Sequence, residues 1–119
     1  MHVVPLRAGL GRVSVPSKTY SIMAAGRPVI AAIDPGTAVP VILDASGGGV
    51  SVAPDDPEAF IAAVRDLVEH PQVGRRQGAL GRQWVVREAS PAAVGAAYDA
   101  LVRTLCSASA RPPKGPSRR

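Results

Sequence analysis

Apolar residues change their spacing several times along this chain, and each change marks an element. His2 to Leu6 (H-V-V-P-L) is short, apolar and β-branched, which predicts a strand. Arg7 to Val15 carries two glycines and two arginines without a period, so it reads as a loop. Beyond it Tyr20, Met23 and Ala24 fall at i, i+3 and i+4, the stripe of a short helix. Ser17 stands where an N-cap belongs, its hydroxyl placed to accept from a backbone N–H of the first turn. Gly26 suits the left-handed residue that ends a helix, and Pro28 prevents continuation. Val29 to Ile33 is then apolar at every position, the mark of a strand covered on both faces in a parallel sheet.

The second half of the chain is helical in period. Asp34-Pro35-Gly36 is a turn signal. Thr37 to Ala45 contains Pro40 and reads either as a short helix with proline in its first turn or as an irregular connection. Gly47-Gly48-Gly49 breaks the chain, and Val50-Ser51-Val52 predicts a short strand towards a sheet edge. Asp56-Pro57-Glu58 is an N-cap, a first-turn proline and a first-turn acid; Phe60, Ile61, Val64, Leu67 and Val68 then share one face to about His70. Val73 to Arg87 reads as a surface helix weakened by Gly74, Gly78 and Gly81. Ser90-Pro91 repeats the cap-and-proline device ahead of a last stripe, Val94, Ala97, Tyr98, Leu101, Val102 and Leu105. Ser107 to Arg119 has three prolines and no apolar period, and is expected to be a disordered tail. No internal repeat occurs.

The pattern is that of one α/β domain with a partial, doubly wound parallel sheet of Rossmann-like type and helices at the C-terminal end. Ligands of such sheets bind beyond the carboxyl ends of the strands. The turn from Val15 to Lys18 leads from such an end into a helix, where free N–H groups and the helix dipole favour an anion. Lys18 adds a point charge suited to phosphate. In the loop before it, Arg7 or Arg12 offers a forked grip on phosphate. Neither G-x-x-x-x-G-K-[ST] nor G-x-G-x-x-G is present. The pair Asp55–Asp56 is better explained by capping than by a metal, because the spacing to Pro57 is what a cap needs. The arginines 75, 76, 82 and 87 read as a solvated face.

Composition narrows the classes. The chain has 119 residues, enough for a single core, and 46% are hydrophobic, which excludes wholesale disorder. No apolar run approaches the roughly 18 residues that span a bilayer. The N-terminus lacks the layout of a signal peptide. Cys106 is the single cysteine, so no internal disulfide forms, which fits a reducing cytoplasm; no histidine is near enough in sequence to favour a catalytic thiol. The net charge of +5 owes four charges to Arg111, Lys114, Arg118 and Arg119, so the body is close to neutral. Nucleic-acid binding is disfavoured, since the basic tail has no aromatic residue for stacking.

The stretch P-S-K-T-Y-S-I-M-A-A-G-R-P-V-I-A, from Pro16, resembles the nucleotide-sugar-binding half of bacterial family-4 glycosyltransferases of the GT-B fold. So do G-G-G-V-S-V-A-P-D-D-P-E-A-F, R-R-Q-G-A-L-G-R-Q-W-V and S-P-A-A-V-G-A-A-Y. The four segments stand in the family's order and at about its spacing, across roughly residues 2 to 105. The resemblance implies that residues 1–106 are a truncated C-terminal donor-binding domain, with a helix in the Thr37–Ala45 segment and 107–119 as the tail. It implies binding of a UDP- or GDP-sugar, its diphosphate near Ser17, Lys18 and Arg12, and sugar transfer with retention of configuration. It implies no metal and no redox cofactor.

Two departures follow from the same resemblance. The family often carries two glutamates eight positions apart; anchored on Met23-Ala24-Ala25-Gly26, those positions fall at Val13 and Ser21, and neither is a carboxylate. The family also places an acceptor domain first in the chain, and reaction occurs between the domains. A chain of this length is therefore expected to be inactive alone unless a partner chain supplies the acceptor domain, and to meet a membrane only through that partner or the acceptor. A non-catalytic α/β partner or nucleotide-binding module is the alternative.

Overall fold

A computed structural model of the chain describes residues 1–109, with side chains described to residue 107. It holds a parallel three-stranded sheet in the order β1-β2-β3, with β1 His2–Pro5, β2 Val29–Ala32 and β3 Gly49–Val52. The register pairs Val4 with Ala31 and Ala31 with Ser51. The helices are α1 Lys18–Ala24, α2 Ala38–Ser46, α3 Pro57–Glu69, α4 Pro71–Glu88 and α5 Pro91–Ser109, with one 3-10 turn at Leu10–Arg12. The sheet class and the edge position of β3 match the sequence reading. The Thr37–Ala45 segment resolves to helix, with Pro40 in its first turn where no amide is needed.

β2 is the centre of the fold, and Val29, Ile30 and Ala31 have no exposed surface. Val29, Ala31 and Ile33 join Val4, Met23, Val39, Leu43 and Val85 in the main core. The β1-α1-β2 and β2-α2-β3 connections step the same way across the sheet, which with the usual right-handed crossover places α1 and α2 on one face. α1 lies over β1 and β2, and α3 lies over β2 and β3.

Local signals explain most element ends. α1 stops in a Schellman motif: Gly26, at φ 67°, donates to the Met23 carbonyl at 2.9 Å and Arg27 to that of Ile22 at 3.2 Å. Asp56 accepts from the Ala59 amide at 2.9 Å, as the capping reading requires. Ser90 accepts from the Ala93 amide at 3.2 Å.

Four expectations need correction. The buried face of α1 is Thr19 and Met23 with Tyr20 and Ile22 half-buried, while Ala24 is exposed. On α3, Leu67 is buried but Ile61 and Val68 lie in solvent. α4 is a surface helix, but its glycines do more than weaken it: Gly74, Gly78 and Gly81 are all buried. A Cβ on Gly78 would run into the Gly26 carbonyl, and one on Gly81 would meet the Gly48 Cα at 3.1 Å. Those glycines let α4 cross against the backbone that leads into β2 and β3. Arg82 also caps α1, donating to the Ala24 carbonyl at 3.1 Å. Finally, the stripe of α5 stays uncovered among the described residues: Val94, Tyr98, Leu101, Val102 and Leu105 are all exposed. α5 runs to Ser109, three residues into the segment expected as tail; residues 110–119 lie outside the described residues.

Candidate functional site

Chain geometry brings two loops to the carboxyl ends of β1 and β2: residues 6–17, between β1 and α1, and residues 33–37, between β2 and α2. Asp34 ties them together. Its carboxylate accepts from the Gly9 amide at 3.0 Å and the Gly11 amide at 3.0 Å. Those two bonds, Gly9 first, hold its carboxyl below the ordinary aspartate value against the opposing effect of burial, with a lesser contribution from the Arg12 charge. Gly11 is buried, and a Cβ there would lie 3.0 Å from both the Asp34 Oδ2 and the Ile33 Cγ1. A third carboxylate contact comes from Asp55, which accepts from the Ala8 amide at 3.4 Å. The backbone of Asp34 also receives the Thr37 hydroxyl at 2.7 Å. In the sequence Asp34 reads as a turn residue only. Its position directly after the buried strand was the available signal, since that is where this fold places ligand-side groups.

The loop so held separates two depressions. A groove of about 720 Å³ runs along the outer flank of β1 to the start of α1, and Leu6, Val15, Ser17 and Lys18 line its upper end. A second hollow of about 470 Å³ lies over the start of α2, between Gly11, Arg12, Gly36 and Thr37. Ser17 and Lys18 are thus together, as expected, but Arg12 faces the neighbouring hollow. Val15 is the wall common to both.

Ser17 does not act as a cap. Its φ and ψ of −58° and −26° are already helical, and its hydroxyl makes no capping bond. The turn begins one residue earlier: the Pro16 carbonyl accepts from Thr19 at 3.0 Å and the Ser17 carbonyl from Tyr20 at 3.2 Å. Proline's fixed φ presets that turn. The Ser17 hydroxyl is therefore free to face the groove, beside the exposed Lys18. No group of three or more histidine, cysteine, aspartate or glutamate side chains able to hold a metal occurs among the described residues. Cys106 is exposed. No described helix is long and apolar enough to cross a membrane.

The chain is related to a glycosyltransferase. It is 34% identical over 67 residues to a Pseudomonas aeruginosa protein named as a probable glycosyltransferase, WbjE. The match covers 56% of this chain and 17% of that protein. No protein-family profile matches the chain, and no solved structure does.

Proposed function

We propose that this chain is the donor-binding part of a retaining glycosyltransferase of GT-B type, and that it holds the diphosphate of a UDP- or GDP-sugar at the carboxyl end of β1. The observation that carries the proposal is the P-S-K turn, whose Ser17 and Lys18 line the upper end of the β1 groove. The similarity to a glycosyltransferase supports it. The Lys18 ammonium and the Ser17 hydroxyl meet one phosphate; Arg12, across Val15, meets the other through a charge-assisted fork. Asp34 serves this site indirectly, by fixing the loop that carries Arg12.

Transfer itself needs an acceptor hydroxyl beside the anomeric carbon, the new bond forming on the face the nucleoside diphosphate leaves. Val13 and Ser21 stand where the resembled family often has two glutamates, so donor contacts of that kind are not made here and the diphosphate contacts carry binding; the acceptor side is expected from another chain or domain. Activity of the chain alone is expected to be absent. A charged hydrogen bond of the Lys18 kind contributes about 1.5–3 kcal/mol. Lys18→Ala should accordingly weaken UDP or GDP binding by roughly tenfold or more. Calorimetric titration of both nucleotides against the two proteins tests this, and equal affinity would refute the site.

A further inference from the structure

We propose that the hollow at the amino ends of the strands binds a phosphate ester that carries an apolar group. This hollow, of about 400 Å³, lies between the Gly26–Pro28 turn, the end of α3 and the first turns of α4. Arg27 and Arg75 give it two positive charges, and Pro28, Leu67, Val68 and Pro71 give it an apolar surface. Pro28 directly precedes β2, so the hollow is at the opposite end of the sheet from Ser17, Lys18 and Arg12. The inference therefore does not rest on the donor reading.

Backbone packing sets the charges together. α4 crosses the end of α1 where Gly78 faces the Gly26 carbonyl. Arg27 follows Gly26 in the chain, and Arg75 stands about one helical turn before Gly78. Arg82, about one turn after Gly78, passes beside Gly26, its Cδ 3.9 Å from the place a Cβ there would take. Arg87 and Arg103 each bond a carboxylate. Among the described residues Arg27, Arg75 and Arg82 bond none, and no acidic residue lines the hollow.

Charge and shape then fix the ligand class. Like charges gathered without a counter-charge repel. The negative end of the α1 dipole offsets the charge of Arg82, which donates to the Ala24 carbonyl. Arg27 and Arg75 remain, two planar forks on separate elements. Such forks match phosphate, whose several oxygens accept from both, where a carboxylate has only two. A bare phosphate ion leaves the apolar lining wet. Val68 is 65% exposed, and an ester that sets its apolar group there removes that surface from water. The volume of the hollow holds both parts. The same chemistry belongs to a phospholipid headgroup at a membrane and to a free phosphate ester.

Amide shifts of the full chain, titrated with monomeric dihexanoyl phosphatidic acid, test it. Shifts should saturate at Gly26, Arg27, Val68 and Arg75. Inorganic phosphate should bind roughly tenfold or more weakly, and octyl glucoside, apolar but uncharged, should move none of these amides. Arg27→Gln and Arg75→Gln, at exposed side chains, should each weaken phosphatidic acid binding roughly tenfold or more. Arg76→Gln, at a residue that does not line the hollow, should not. Sedimentation with phosphatidylcholine vesicles, with and without phosphatidylglycerol, then separates the two sources. Capture by the anionic vesicles that both Arg27→Gln and Arg75→Gln reduce assigns the headgroup; no capture, or capture that they leave unchanged, assigns a free ester. No saturating shift at the four residues overturns the proposal, as does equal binding of octyl glucoside or of inorganic phosphate. Unchanged affinity in both variants, or shifts confined to residues 111–119, overturns it as well. The titrations of the unaltered protein decide even if a variant fails to fold.

Discussion

The carboxylate of Asp34 lies 3.0 Å from the amide of Gly11, 23 residues earlier in the chain, and this contact fixes the loop that walls the candidate site. The same carboxylate holds Gly9. Arg12 and Val15 follow at once, so the form of both depressions depends on one side chain at the end of β2.

Acid should release that loop. The Asp34 carboxyl titrates below its ordinary value of 3.8 in the folded chain. A depressed folded value means that the contribution to stability is complete above the unfolded value and is lost as pH falls through the folded one. The Gly9 and Gly11 amide shifts should therefore move together, with a midpoint below 3.8. Asp34→Ala should speed exchange of both amides about tenfold or more at neutral pH. Unchanged exchange would show that the loop is held by something else.

Two glycines of α4 should respond oppositely to alanine. At Gly78 the new methyl collides with the Gly26 carbonyl, backbone against backbone, so Gly78→Ala should cost about 1–3 kcal/mol or more. At Gly74 the nearest atoms are Pro28 Cγ at 3.5 Å and Leu67 Cδ2 at 3.7 Å, ordinary contacts. Gly74→Ala should then gain up to about 1 kcal/mol from helix propensity. Urea unfolding of the two variants checks the pair; equal effects would contradict the packing of α4.

Burial separates two leucines in the same way. Leu43 is 1% exposed, and Leu43→Ala should cost about 2–5 kcal/mol. Leu101 on α5 is 53% exposed, and Leu101→Ser should change stability by less than about 0.5 kcal/mol. A large loss at Leu101 would show that the α5 stripe is covered in solution.

Much of this architecture is legible in the sequence because its causes are local. Unbroken apolarity gives β2 away, Asp56-Pro57 and Ser90-Pro91 announce two helices, and Gly26 marks the end of α1. The missed features depend on distant partners. Nothing near Gly78 says that the Gly26 carbonyl will press against it, and only the sheet brings Asp34 to Gly9 and Gly11. Ser17 departs from the capping role for a different reason: Pro16 closes the first turn itself, so the serine has helical torsions and the Thr19 amide already bonds the Pro16 carbonyl. Likewise the period of α5 predicts an apolar stripe but not what covers it. At the candidate site, Ser17 and Lys18 are neighbours in sequence and line one groove, while the separation of Arg12 into a neighbouring hollow needs the fold.

The donor-site reading meets its most direct test in a titration of UDP and GDP followed by amide chemical shifts. Affinity of this chain by itself should be no better than about millimolar, near −4 kcal/mol. Shifts should cluster at residues 15 to 20, extend to Arg12, and weaken in Lys18→Ala, whereas Arg111→Ala should change little at moderate salt. Shifts confined to residues 111–119, or none in a folded protein, would contradict donor binding by this chain.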